Sequence, residues 1–275
     1  MSEREMVYYP QDEINTVLLP VTRGCSYNGC VFCSMYKDIP YEKVSLQEIK
    51  MILVNADKYT EKIFLTGADP LAIGFTEMRE ILALVRQYLP YCACVASYAS
   101  IFNISKYTVD ELAIFHDEGL RLLYIGFESG SCQVLEWMNK AHSRADAIRE
   151  AKKLNVARLP FNTIIMYGIA GAGRGVENAC ATADLINKFT TNKVITMNLK
   201  VFGGTELEHK VNRGEFSLAS PAELLLEIQT LLKQLDPNSL MQFDTTHPTN
   251  LIQIKGTLTK DRDELMEKVS RRLNP

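Results

Sequence analysis

Asn15–Cys33 reads Asn-Thr-Val-Leu-Leu-Pro-Val-Thr-Arg-Gly-Cys-Ser-Tyr-Asn-Gly-Cys-Val-Phe-Cys. Asn15 to Thr22 is a short, mostly apolar run, the pattern of a buried strand. Directly after it, Cys25, Cys30 and Cys33 share one glycine-bearing loop with the spacing C-x4-C-x2-C. In parallel α/β folds, chemistry is presented in this way, at the C-terminal end of a strand. Three thiolates in one loop can converge on one metal centre.

Outward from this stretch, strand and helix signals alternate. Ser45 to Lys58 has a helical pattern, with Ser45 as N-cap and Glu48 expected to complete a capping box. Lys62–Thr66 is an apolar strand and Thr76–Tyr88 a helix. Cys92–Tyr98 is a strand, and Thr108–Glu118 a helix stopped by Gly119. Leu120–Phe127 is a strand, followed by helices at Ser131–Asn139 and Arg144–Leu154. Leu159–Gly168 and Val194–Phe202 are strands flanking a helix at Val176–Phe189, and Pro221–Leu235 is an amphipathic helix with proline in its first turn. Six strand–helix units predict a parallel sheet with right-handed crossovers. They are too few for a closed eight-stranded barrel. The expected fold is a partial (β/α)6, TIM-like barrel over 1–203, with a helical and irregular C-terminal extension over 204–275. A flat, doubly wound sheet is the alternative.

The chain has 275 residues, 47% apolar and 23% charged, which suits a globular α/β protein. A net charge of −3 gives no general basic field for nucleic acid. The basic residues from Lys255 to Arg272 are expected to form a solvated helix face. Met1–Pro10 lacks the apolar run of a signal peptide, and no stretch is long and apolar enough to span a membrane. The expected location is therefore the cytoplasm, where thiols stay reduced.

Seven cysteines there suggest metal binding or buried thiols rather than disulfides. Iron–sulfur clusters are held by thiolates, normally four. Three leave one iron with an open position, which catalysis needs and electron transfer does not. Zinc competes for C-x2-C, but no second knuckle follows, and His116, His142, His209 and His247 are scattered. Cys92, Cys94, Cys132 and Cys180 are expected to be small buried hydrophobes. The glycines at 168, 171, 173 and 175 do not spell a dinucleotide loop, because Val176 occupies the last position.

The loop resembles that of the radical S-adenosylmethionine (SAM) superfamily, whose cluster loop follows the first strand of a partial barrel. The usual spacing is C-x3-C-x2-C; this chain has one residue more, like a group of short, stand-alone members with C-S-x-N-x-C-x-F-C loops. The resemblance implies a [4Fe–4S] cluster on Cys25, Cys30 and Cys33, and Phe32 bordering the adenine of SAM. Thr66-Gly67-Ala68-Asp69 stands where the family holds the SAM ammonium group, with Asp in place of the usual Glu. Gly126-Phe-Glu128-Ser129-Gly130 resembles a segment whose Glu and Ser face the ribose and methionine parts. Met138-Asn139-Lys140 is similar too, and Lys140 or Arg144 is a candidate for the SAM carboxylate. Ile165-Met-Tyr-Gly168-Ile-Ala-Gly171 looks like the apolar segment beside the adenine, with Asn162 a candidate for a ribose hydroxyl. Gln242–Asn250 and Leu258–Asp263 resemble the closing segment of the short group. There Asp244, His247 and Asn250 are candidates for touching substrate, in a segment expected to be irregular.

The implied chemistry is reductive cleavage of SAM to methionine and a 5′-deoxyadenosyl radical, which abstracts hydrogen from a substrate. A low-potential donor of flavodoxin or ferredoxin type is implied. The segment before Cys25 has no room for a cobalamin domain, and no RNA-binding appendage is seen. A small-molecule or peptide substrate is therefore expected. The rivals are a structural zinc protein, a SAM-cleaving enzyme that yields a 3-amino-3-carboxypropyl radical, and an iron–sulfur electron carrier.

Overall fold

The computed structural model describes residues 8–236 and 240–273, so the first seven residues of the polar N-terminal stretch lie outside the described residues. The sheet strands are β1 (Val17–Pro20), β2 (Lys62–Thr66), β3 (Cys94–Ala99), β4 (Leu120–Glu128), β5 (Phe161–Tyr167), β6 (Lys193–Asn198), β7 (Gln242–Asp244) and β8 (Lys255–Thr257). Their order in the sheet is their order in the chain. That order lacks the reversal of a doubly wound sheet, and agrees with the singly wound sheet expected of a partial barrel. The fold is mixed α/β with a mostly parallel sheet.

The chain divides into two compact units: Met1–Asn28, Tyr36–Tyr124 and Val156–Pro160 form one, and Gly29–Met35, Ile125–Asn155 and Phe161–Pro275 the other. In the first, β1 pairs in parallel with β2 (Leu19 opposite Leu65), and β2 with β3 (Phe64 opposite Ala96). Their apolar residues, Leu19, Ile63, Phe64 and Leu65, are fully buried, because both faces of a parallel sheet are covered. Ser45 caps the helix Leu46–Asn55 as expected, accepting from Glu48 N at 3.2 Å. The capping box is not completed: the Glu48 carboxylate goes to Arg23 instead, at 2.6 Å.

In the second unit, β5 and β6 pair in parallel over their whole length, Tyr167 opposite Asn198. Phe161, at the start of β5, packs with Phe127 and Phe189, ring centroids 5.3 to 6.2 Å apart. The segment expected to be irregular instead extends this sheet. Gln242–Asp244 adds in parallel to β6, and Lys255–Thr257 returns antiparallel to β7. The open edge of β6 offers backbone donors and acceptors, and three residues suffice to satisfy them. The helix Leu258–Leu273 buries Leu265 and Val269 and exposes the basic face, which is laced by Lys268–Glu264 and Arg271–Glu267 pairs. Among the described residues, no helix is long and apolar enough to cross a membrane.

The four other cysteines need correction. Cys132 and Cys180 are exposed, not buried. Cys92 precedes β3 rather than alternating with Cys94 along it, and burial pushes both thiols up.

Candidate active site

In the first unit, the loop after β1 carries Cys25, whose Sγ accepts the Asn28 N–H at 3.3 Å. Asn28 has φ +51°, which Asn tolerates better than most residues, and its side chain donates to Tyr36 O at 2.9 Å. Ser26 is tied to Asp69: Asn103 Nδ2 donates to Ser26 Oγ at 3.0 Å and to Asp69 Oδ2 at 2.6 Å. The same Oδ2 accepts the Ser100 N–H at 3.0 Å and the Ser100 hydroxyl. Asp69 is only 4% exposed, and among the described residues no side chain or N–H bonds its Oδ1 by distance and angle. Burial pushes this carboxyl up to about 6, against hydrogen bonds from Ser100, Asn103 and the Leu71 backbone that favour the anion.

Thr66 and Gly67 close against β1. Val21 N donates to Thr66 O at 3.1 Å, and a Cβ on Gly67 would lie 2.1 Å from Thr22 Oγ1. With φ +125°, this position needs glycine on both counts. Ala68 follows, half-buried. The end of β2 thus brings its main chain and one buried, half-satisfied carboxylate to the side of the loop that holds Ser26.

The rest of the cysteine loop, Gly29–Met35, belongs to the second unit. Val31 N donates to Met138 O at 3.1 Å, Leu207 N to Val31 O at 3.0 Å, and Asn139 Nδ2 to Gly29 O at 2.7 Å. Lys140 Nζ lies 5.9 Å from the Phe32 ring centroid and 3.2 Å from Glu128 Oε1. Burial alone would lower the Lys140 ammonium; Glu128, then the Cys30 and Cys33 thiols, hold it above its ordinary range. Glu128 itself sits at φ +63°, and Gly126 leaves it room, since a Cβ there would meet Oε1 at 2.5 Å.

Ser129 is fully buried and donates to Asn178 Oδ1 at 2.5 Å. Gly168 ends β5 at φ +74°, and its N–H donates to Glu227 Oε2 at 2.8 Å. Arg144 is turned to the surface and pairs with Asp184, away from Lys140's thiol-side position. Asn162 is the second residue of β5, six residues before Gly168, which puts it roughly 20 Å along the strand from that end. The structure therefore does not bring Asn162 to Gly168.

Of the three closing-segment candidates, Asp244 pairs with Lys255 at 3.2 Å and Lys193 at 3.8 Å, and accepts from Thr246. Asn250 Nδ2 donates to Thr196 O and Thr245 O. His247 Nδ1 meets Thr249 Oγ1 at 2.8 Å, and Thr249 Oγ1 accepts the Asn198 N–H that ends β6. The segment is thus fastened to the C-terminal end of a sheet strand.

Among the described residues, no three His, Cys, Asp or Glu side chains are gathered to hold a single ion. Three thiols outside any disulfide, one of them accepting a backbone N–H, have the donor chemistry that an iron–sulfur cluster takes.

Residues 19–176 match the family model of the Radical SAM superfamily.

The chain belongs to the radical SAM superfamily.

As a radical SAM protein it is an enzyme, and its cofactors are a [4Fe–4S] cluster and SAM. No curated protein matches it in sequence. Solved structures share its fold. The archaeal Methanocaldococcus infernus Elp3 with an N-terminal deletion is 17% identical, with TM-score 0.56, over 93% of this chain and 63% of that one. Methylornithine synthase (PylB) is 16% identical, with TM-score 0.58, over 94% and 80%. Coproporphyrinogen III oxidase (HemN) from Escherichia coli is 14% identical, with TM-score 0.56, over 79% and 51%. The chain thus spans less than two thirds of Elp3 and HemN. Radical SAM enzymes need a reductant and a substrate.

Several residues that hold the candidate residues in place are not marked in the sequence. Ser100 and Asn103 anchor Asp69, and nothing in their local pattern marks them. Glu227 and Asn178 do leave a trace: Glu227 interrupts the apolar face formed by Leu224, Ile228 and Leu231, where a charge is out of place.

Proposed function

We propose that Cys25, Cys30 and Cys33 hold the [4Fe–4S] cluster and that SAM completes it. Bound together, these groups supply one-electron cleavage of the S–C5′ bond, yielding methionine and a 5′-deoxyadenosyl radical able to abstract hydrogen. Thr66, Gly67 and Ala68 offer main-chain oxygens, and Asp69 its unpartnered Oδ1, to the methionine ammonium. Glu128 and Ser129 serve the ribose and methionine parts; Phe32 and the Gly168 turn flank the adenine. Lys140 compensates the charge of Cys30 and Cys33 and stands ready for the SAM carboxylate. The closing segment, with Asp244, His247 and Asn250, borders a small-molecule or peptide substrate. The enzyme works in the cytoplasm with a donor of flavodoxin or ferredoxin type.

The observation that carries this reading is the Lys140 ammonium, largely shielded from solvent, 3.2 Å from Glu128 and 5.9 Å from the ring of Phe32, which lies between Cys30 and Cys33 in the loop. The test is metal and sulfide analysis after anaerobic reconstitution. About four iron and four sulfide per chain, lost in Cys33→Ala, is expected; zinc without sulfide contradicts it. His247→Ala should keep cluster and SAM binding yet lose substrate turnover, and normal turnover removes it from the site. Methylthioadenosine in place of 5′-deoxyadenosine would assign the other S–C bond.

A further inference from the structure

Glu227 lies on the helix Pro221–Gln234 and is 1% exposed, yet none of its hydrogen-bond partners is a cation. Each of its oxygens has a partner: Oε2 accepts the Gly168 N–H and Oε1 accepts Asn178 Nδ2, both at 2.8 Å. Asn178, on the helix Gly175–Ile186, in turn accepts the Ser129 hydroxyl. One carboxylate therefore ties together the ends of two neighbouring strands, β5 at Gly168 and β4 at Ser129. The surroundings are shaped around it. A Cβ on Gly175 would meet Glu227 at 3.2 Å, and a Cβ on Gly168 would meet Leu224, one helical turn away, at 2.9 Å. A buried carboxylate without a cation is costly, and burial pushes Glu227 up to about 7. An apolar residue would stabilise such a position more simply.

We infer that Glu227 is a positioning residue for the SAM site, fixing the Gly168 turn directly and Ser129 through Asn178. This rests on the proposal that those two strand ends contact SAM. Glutamine keeps the shape but has one acceptor oxygen, so one of the two hydrogen bonds is lost.

The experiment compares reconstituted wild type, Glu227→Gln and Asn178→Ala. It measures SAM dissociation constant by anaerobic equilibrium dialysis, iron content, and hydrogen exchange in the peptide containing Gly168. Glu227→Gln should weaken SAM binding about tenfold, the size of one lost charge-assisted hydrogen bond. It should also speed exchange at the Gly168 turn and leave iron content intact. The loss should lie in the SAM concentration dependence of turnover rather than in the saturated rate, a split that general destabilisation does not produce. Asn178→Ala should also weaken SAM binding, but less, since it cuts the Ser129 link and the Glu227 Oε1 bond while the Gly168 bond stays in place. Unchanged affinity in a fully loaded Glu227→Gln overturns the inference while the proposed function stands. If Glu227→Gln fails to load iron, unchanged affinity in Asn178→Ala overturns it instead. Wild type that carries the cluster but binds no SAM overturns the proposed function, and this inference with it.

Discussion

Ser26, next to Cys25, is tied to a buried carboxylate whose partners are neutral donors, whereas Cys30 and Cys33 face a cation that already has its carboxylate. On the first side, Asp69 keeps an oxygen without a partner and a carboxyl held up to about 6. On the second, Lys140 and Glu128 satisfy each other. The difference separates two tasks. On the proposed reading, the Lys140 side offsets thiolate charge, fastens the loop and meets SAM as an ion pair already formed. The Asp69 side keeps capacity for a ligand, at some cost in stability, as functional sites commonly do.

If this division holds, Lys140→Met should be the most damaging change, because it leaves Glu128 buried and alone. A loss of about 4 kcal/mol is expected in denaturant unfolding, with iron loading lost, while Lys140→Arg keeps most of both. A Lys140→Met protein no weaker than Asp69→Asn would erase the contrast.

Asp69→Asn should act mainly on pH dependence. A carboxyl raised from 3.8 to about 6 binds its proton more tightly folded than unfolded. Wild-type stability should therefore fall as pH rises from about 4 to about 6, and stay level above, by about 3 kcal/mol from this group. Asparagine should remove that component and weaken SAM binding. Glu227, raised from 4.5 to about 7, adds a slope of the same sign that persists. His142 opposes both: burial holds it neutral down to about 3, so its contribution is full above about 6.5 and lost as pH falls. The measurement is the difference between variant and wild-type unfolding midpoints across this range. A constant difference would contradict the assignment.

Gly67→Ala should cost about 2 kcal/mol, from its contact with Thr22 and its left-handed backbone. Gly173→Ala, with no atom within 4 Å, should cost only its backbone share. Equal thermal midpoints would show that β1 and the Gly67 turn are not locked together. Smallest, Asn139→Ala should cost about 1 kcal/mol through its lost bond to Gly29 O. Asn139→Gly, which relieves φ +49°, should lose less.

Strands β1 to β6 were legible because buried parallel strands announce themselves as apolar runs between amphipathic helices. Strands β7 and β8 were not: Gln242-Phe-Asp and Lys-Gly-Thr257 are short and polar, and they form only because β6 leaves an edge to pair. The cysteine loop and its flanking glycines were readable because spacing and ligand chemistry are local. What positions them was less so. Asn103 reaches Ser26 across 77 residues and Asn139 reaches Gly29 across 110, and no local pattern encodes a contact at that separation. Arg144 and Lys140 were indistinguishable as cations in sequence. Only tertiary packing turns one to Asp184 at the surface and the other to Glu128 and the thiols.

The most direct test of the central claim is product analysis under anaerobic conditions. Reconstituted protein is incubated with dithionite and SAM, and the nucleosides are identified by mass spectrometry. The account predicts 5′-deoxyadenosine from the wild type and none from Cys30→Ala. A protein that forms no cluster and retains zinc, or a Cys30→Ala variant that still forms 5′-deoxyadenosine, would contradict it.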